Sequence, residues 1–399
     1  MEAARLGHVD VLTYLLTKGA STHLTNFEGR TALHVAVNRE ELQSVKILLA
    51  FDANAELGDS NGQTPLMSAI KLGLVEMATV LINASPHCVE AIDKQGDSVL
   101  GIAVYNGQLE IVRLLLNSGV NLSLSTGGAP TPLMLAASKG YVEIMNLLLD
   151  KGADVDEKTW KGDTALTFAA EGGQVEAVEI LLTRHTTVDS HGVNSAPLAI
   201  AAQRGHAEVI KLLLKHNVNV NAKDSDGDSA LHEAVYSHSP DCARVLIQSE
   251  ATELDVQNEN GWTPLIAASQ RDLVQIVNTL LHKKASVELR TKDGRSALHI
   301  AAEEGRVDVV CLLLQHGAEI DVVNKAKWTP LMMAANRGHR ETIKFLVEKG
   351  ASLTCKNQLG ENAADVAKFN SRTDVLDLLQ LENPEVTNAS PSSKRQRTE

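Results

Sequence analysis

The sequence predicts an all-α repeat solenoid, in which helix-turn-helix units stack in series with β-hairpin-like fingers between them. Three observations carry this prediction. A Thr-Pro-Leu-like tetrapeptide returns every 32 to 34 residues along nearly the whole chain. Hydrophobic residues fill 44% of the 399 positions, enough for a folded core, yet only 3% are aromatic. A core with so few rings is built from Leu, Val, Ile and Ala, which suits thin, regular helix packing. Finally, glycines recur at fixed places in the period, where a helix has to stop.

The tetrapeptide reads Thr31-Ala-Leu-His34, Thr64-Pro-Leu-Met67, Ser98-Val-Leu-Gly101, Thr131-Pro-Leu-Met134 and Thr164-Ala-Leu-Thr167. It continues as Ala196-Pro-Leu-Ala199, Ser229-Ala-Leu-His232, Thr263-Pro-Leu-Ile266, Ser296-Ala-Leu-His299 and Thr329-Pro-Leu-Met332, with a degenerate copy at Asn362. Thr or Ser is a good N-cap, because its hydroxyl accepts from the free N–H groups of the first turn. Pro follows where its missing N–H costs nothing. Leu and an Ala pair then give a short helix with a small face, ended by Gly7, Gly73, Gly107, Gly140, Gly173, Gly205, Gly305 or Gly338. A Leu-rich second helix such as Val142–Lys151 comes next, often closed by Gly19, Gly119, Gly152, Gly317 or Gly350. An alternating stretch such as Asp154-Val-Asp-Glu then leads to a turn like Asp226-Gly227 or Asp293-Gly294.

Some copies depart from this grammar. Glu40, His238, Asp272 and Ser371 stand where the helix-ending Gly belongs. Ala196 lacks the capping hydroxyl, and its finger around Thr187–Asn194 is one residue short. The fingers around Ser85–Cys88 and Ala251–Leu254 each hold one residue more. Local irregularity is expected at these three points.

Segments such as Asp293-Gly-Arg-Ser-Ala-Leu-His-Ile-Ala-Ala-Glu-Glu-Gly305 and Val310-Cys-Leu-Leu-Leu-Gln-His-Gly-Ala318 resemble the ankyrin repeat. The resemblance covers about residues 1–381 as twelve units, the first incomplete and the last, Asn362–Gln380, read as a polar cap. It implies that His34, His232 and His299 bond locally and tie neighbouring units together. It further implies a binding groove lined by finger tips and by the exposed face of each first helix. The variable positions there are Phe27, Arg30, Arg39, Lys71, Tyr105, Lys139, Trp160, Lys161, Arg204, Tyr236, Trp262, Arg271, Arg295, Trp328 and Arg337. All three Trp and two of the four Tyr fall among them, and Trp, Tyr and Arg dominate binding hot spots. The alternative for Trp160, Trp262 and Trp328 is packing on a neighbouring finger. Finger asparagines of such proteins can be hydroxylated, and Asn221 is the candidate here.

Chemistry is not visible. His232-Glu233-Ala-Val-Tyr236 begins like a zinc-protease motif but lacks the second His. No phosphate-binding loop or nucleophile elbow occurs, and Gly127-Gly128 sits in a finger. The carboxylates are read as solvent-facing, with no pair standing out, and no cofactor or metal is expected. Cys88, Cys242, Cys311 and Cys355 are too far apart in sequence for a metal or redox pair and read as reduced, buried or half-buried side chains. The net charge of −13 disfavours nucleic acid. No secretory signal or membrane-length apolar run is present.

The chain starts inside a unit, so that either this unit caps as it stands or the chain is part of a longer product; the second is the expectation. Residues 382–399 read as a disordered polar tail in which Lys394, Arg395 and Arg397 resemble a short nuclear-import signal. The expected function is a monomeric, non-catalytic scaffold or adaptor, cytoplasmic and also nuclear if the tail works. Its partners are proteins or peptide segments with acidic or apolar anchors. The alternative is the repeat portion of a larger protein, such as a ubiquitin-ligase adaptor, kinase, channel or transcription regulator.

Overall fold

The computed structural model describes residues 1–124, 128–184, 186–189 and 196–380. The chain divides into two compact units, Met1–Ser225 and Asp226–Glu399. Among the described residues the first unit holds seven helix pairs, from Glu2–Arg5 with Val9–Thr17 to Pro197–Arg204 with Ala207–Lys215. The second holds five, from Ala230–Tyr236 with Pro240–Gln248 to Ala363–Phe369 with Leu376–Leu379. Within each unit, first helices pack on first helices and second helices on second helices of the neighbouring repeats.

The helices start and stop as the capping grammar requires. Thr64, Thr131, Thr263 and Thr329 accept from the backbone N–H three residues on, at 3.2–3.3 Å. Ala196 does not, having no side-chain oxygen. Gly140, Gly205 and Gly338 close their helices at φ of +70°, +82° and +80°. Glu40, His238, Asp272 and Ser371 adopt the same left-handed backbone, at φ of +62°, +54°, +60° and +57°. The fold therefore imposes this conformation on L residues, at a cost of about 1–2 kcal/mol each. The third tetrapeptide residue and the following Ala bury completely or nearly so, as at Leu33 and Ala36, Leu66 and Ala69, Leu166 and Ala169, or Leu298 and Ala301. Leu48, Leu81, Leu115, Leu148 and Leu181 of the second helices fill the other side of the core.

The fingers are built from turns more than from strands. Among the described residues only two isolated antiparallel bridges occur, Ile92 with Ser98 and Arg290 with Ser296. Among the described residues each tip is instead a turn that begins with Asn, Asp or Thr. Asn258 Oδ1 accepts from the N–H of Asn260 at 3.0 Å and of Trp262 at 2.9 Å, and Asp59 does the same for Asn61 and Gln63. Tips are joined to tips by a backbone bond: Ser60 N–H to Glu28 O at 3.0 Å, Lys94 to Asn61 at 3.0 Å, Lys292 to Asn260 at 2.9 Å, and Lys325 to Asp293 at 3.2 Å. Gly261 shows why the tip needs glycine. Its φ is +76°, and a Cβ there would stand 2.9 Å from the Lys292 nitrogen.

The extra residue before Ala91 is taken up by a 3₁₀ turn, Pro86–Glu90, which buries Cys88 and Val89. The second longer finger leaves its helix through an extended Ser249 in place of a left-handed residue. The short finger lies largely outside the described residues, as do the tail and its Lys394, Arg395 and Arg397. In the last repeat, Asp365, Lys368, Arg372, Asp374 and Asp377 are all exposed, and Asp377 takes both forks of Arg340 at 2.8 and 2.6 Å.

Candidate protein-binding surface

The inter-repeat ties fix where the candidate side chains stand. Nδ1 of His34, His232 and His299 lies 3.2 Å from the backbone N of Thr31, Ser229 and Ser296. A nitrogen that accepts from an N–H carries no proton, so Nε2 carries it and donates onward. Its acceptors are the carbonyls of Gln63 at 2.9 Å, Trp262 at 3.1 Å and Trp328 at 3.0 Å. The expected tying role of these histidines is thus what the structure shows. Burial holds His299 well below the usual histidine value, at about 4, and depresses His34 as well. A second set of ties lies at the turn between the two helices. Gln108, Gln174, His206 and His339 reach back to the carbonyls of Ile70, Ser138, Glu171 and Glu303, at 2.6, 3.4, 3.0 and 2.9 Å. The sequence reading missed this set.

In the first unit, Phe27 and Trp160 stand on finger tips, with Phe27 fully exposed and Trp160 72% exposed. Tyr105, at a helix end, is 57% exposed, and the Lys139 ammonium sits 5.0 Å from its ring centre. Lys161 stands likewise 5.1 Å over Trp160. Arg30 pairs with Glu28 at 2.7 Å and Asp59 at 3.7 Å, and Arg204 with Glu171 at 2.6 Å. Arg39 is exposed, and Lys71 donates to Gln63.

In the second unit, Trp262 and Trp328 are half-buried. Each is held at both ends of its residue: its N–H donates to Asn258 or Asn324 at 2.9 Å, and its carbonyl accepts from the preceding histidine. Tyr236 and Arg271 come together, with the guanidinium carbon 5.2 Å from the ring centre. The Tyr236 hydroxyl also meets Asp228 and Asn258, each at 3.4 Å. Burial, then the Asp228 charge, raises the tyrosine above its usual value. Arg295 and Arg337 share Glu303, at 2.9 and 3.0 Å. Tyr236, Trp262 and Asn258 line a cavity of about 330 Å³ together with Asp226, Asp228 and Glu259.

The acids are what the sequence reading overlooked. It placed carboxylates on solvent-facing positions, whereas Asp93, Asp228 and Glu233 are buried. The acidic anchors it expects of a partner presuppose arginines with free charge. Arg30, Arg204, Arg295 and Arg337 each carry a carboxylate partner from their own or a neighbouring repeat. Exposed pairs of this kind contribute about 0–1 kcal/mol, so they set positions more than stability. The cysteines follow expectation: Cys88 and Cys242 are buried, with burial pushing their thiols up to about 12 and about 11, and Cys311 and Cys355 are half-buried. Asn221 is half-buried, its N–H donating to Asn219 at 3.2 Å. Among the described residues no helix is long and apolar enough to cross a membrane.

Comparison with known proteins agrees with this architecture. A family model described as ankyrin repeats, in three copies, matches residues 1–93, 100–191, 184–255, 250–324 and 317–390. A Danio rerio protein named as a palmitoyltransferase, ZDHHC13, is 34% identical over 137 residues, which are 34% of this chain and 21% of that protein. Neurogenic locus notch homolog protein 1 of Xenopus tropicalis is 34% identical over 137 residues, 34% of this chain and 5% of that protein. B-cell lymphoma 3 protein of Homo sapiens is 37% identical over 114 residues, 28% of this chain and 25% of that protein. These matches therefore span between a twentieth and a quarter of the relatives' own lengths. With its periodic caps, histidine ties and stacked finger turns, and with a family match along almost its whole length, the chain belongs to the ankyrin-repeat family.

Proposed function

We propose that this chain is a non-catalytic scaffold or adaptor that binds partner proteins through its finger tips and the exposed ends of its first helices. Ankyrin repeats as a class mediate protein–protein interaction, and solenoids serve as extended binding surfaces. The observation that carries the reading here is the placement of the aromatics. The core is filled by aliphatic side chains, yet Phe27, Tyr105 and Trp160 stand exposed and Trp262 and Trp328 half-exposed on positions whose backbone is fixed. Rigid aromatic anchors supply binding area at small entropic cost.

The test is a paired affinity capture. One bait is the wild-type chain; the other carries Tyr105, Trp160, Tyr236, Trp262 and Trp328 changed to Ala, after circular dichroism shows an unchanged helical signal. Proteins retained by the wild type and lost from the variant support the reading. Identical retention places binding elsewhere and removes it.

The small share of each relative that the chain matches favours a second reading, in which these repeats serve as the binding portion of a larger protein. Sequencing the full-length transcript decides it: in-frame stop codons found both directly upstream of Met1 and directly after Glu399 remove that reading, and open coding sequence on either side supports it.

A further inference from the structure

The first unit holds a cleft of about 480 Å³, within the roughly 300–1,000 Å³ of ligand sites. Three successive fingers line it, at Arg30, Asn61 and Gln95, together with the first-helix ends at Asn38 and Lys71. Its wall is fixed by a relay that starts at buried Asp93. The Asp93 carboxylate accepts from the N–H groups of Gln95 at 3.0 Å and Asp97 at 2.9 Å. It also accepts from the Gln63 carboxamide, whose oxygen in turn takes the Lys71 ammonium. Asn38, Asn61 and Gln95 differ from Gln63. All three are exposed, and among the described residues their carboxamides have no hydrogen-bond partner.

The lining sorts the possible occupants. Arg30 already holds Glu28 and Asp59. Lys71 and Asp97 have no ion-pair partner among the described residues, so one open charge of each sign remains. A strongly acidic or basic group gains from one of them and is opposed by the other. Among the described residues no aromatic ring lines the cleft, so a nucleobase finds no stacking face. Leu72 alone is apolar, and an apolar anchor would strip water from the carboxamides and return no hydrogen bond. A peptide main chain meets none of these objections. Each of its units carries one N–H and one C=O, and each carboxamide offers the complement of both. An extended segment presents such units in a row, which gives affinity through the backbone. We propose that this cleft holds an extended segment of a partner protein by its main chain, through Asn38, Asn61 and Gln95. The first unit then reads the path of the segment more than its side chains. This rests on the reading that the finger side of the repeats is the binding surface.

The experiment uses the full chain. Random twelve-residue peptides are selected on the wild type, and each enriched peptide is measured by fluorescence polarisation. Two series of counterparts accompany it: one with single backbone N-methyl groups, one with single side chains changed to Ala. All are titrated against the wild type, the triple variant Asn38→Ala/Asn61→Ala/Gln95→Ala, and the five-fold Ala variant of Tyr105, Trp160, Tyr236, Trp262 and Trp328. The three carboxamides are exposed and unbonded, so the triple variant is expected to keep the wild-type circular dichroism and melting curve. The expected result is a loss of tenfold or more on the triple variant and a similar loss for at least one internal N-methyl group. No single side-chain change should cost more than about threefold. Peptides indifferent to the triple variant but lost on the aromatic one overturn this inference and leave the binding surface standing. Peptides that tolerate every N-methyl group and depend on one side chain overturn it too, as does a selection that enriches nothing. Binding insensitive to both variants removes this inference and the reading it rests on.

Discussion

At the scale of single residues, the buried histidines carry the most specific chemistry in the molecule. His299 uses Nδ1 as an acceptor within its own helix cap and Nε2 as a donor to the Trp328 carbonyl of the next repeat. Protonating Nδ1 would set a charged N–H against the Ser296 N–H inside an apolar core. Burial accordingly holds His299 near 4, against 6.5 for the free side chain. A depressed value means that the unfolded chain binds the proton more readily. The stabilisation is therefore complete above about pH 6.5 and is lost as pH falls through about 4. Two and a half pKa units correspond to about 3 kcal/mol. Denaturant titrations of the wild type and His299→Ala at pH 7.5 and pH 4.5 check this. The variant is expected to be less stable at pH 7.5 by roughly 2–4 kcal/mol, for lost bonds and a buried cavity. The difference should shrink markedly at pH 4.5. A constant difference would mean that the imidazole does not titrate between these values. The position of these histidines was legible in the sequence, at the fourth place of the tetrapeptide. Their tying role came from resemblance alone, and their partners were not read, because Gln63, Trp262 and Trp328 lie about 30 residues further along the chain.

At the scale of elements, helices could be read and fingers only in part. Helix starts and stops are set by local groups: a hydroxyl three residues before an N–H, a Pro where no donor is needed, a residue willing to turn left-handed. All of these are visible in a window of ten residues. A finger tip is held by Asn258 or Asp59 bonding to its own turn and by a backbone bond to the next tip. The alternating composition of the stretch before it suggested strand pairing, yet among the described residues pairing is limited to two bridges inside single fingers, and the bond that joins tips reaches one repeat away. The capping grammar supports a direct test at Ala196, where the helix Pro197–Arg204 begins without a side-chain cap. Ala196→Thr is expected to stabilise the protein by about 0.5–2 kcal/mol, measured by thermal or urea unfolding. No gain would show that the N–H groups there are already satisfied in another way. The turn ties at Gln108, Gln174, His206 and His339 escaped the sequence reading because the carbonyls they reach carry no side-chain signature.

For the molecule as a whole, the repeat makes stability a sum of neighbouring contributions more than one shared core. Within the first unit, His34 ties its own cap to the neighbouring finger at Gln63. Hydrogen exchange followed by mass spectrometry should show the consequence. His34→Ala is expected to lose protection by tenfold or more in peptides covering residues 31–72, and to leave residues 296–380 unchanged within error. A uniform loss along the chain would mean all-or-none unfolding and would contradict the additive picture. The candidate surface was legible in its aromatics, since each stands at a place in the period that the core does not need. Its electrostatics were not. A count of charges gives −13 for the chain, but whether a given arginine presents a free charge depends on neighbours such as Glu171 and Glu303, about a repeat away in sequence.

The residue just before each cap has two separable duties. Gln63 differs in side chain from Trp262 and Trp328, yet all three give the same backbone carbonyl to the histidine of the repeat before. The peptide group serves the architecture, while the side chain takes other contacts: Gln63 bonds Asp93 and Lys71, and Trp262 lines the cavity beside Tyr236. At 262 and 328 the residue can change while the backbone tie to the histidine stays in place. A chain assembled this way can retarget itself by point mutation at the tips while its framework stays constant, and a library randomised at 262 and 328 would vary recognition with the histidine ties kept.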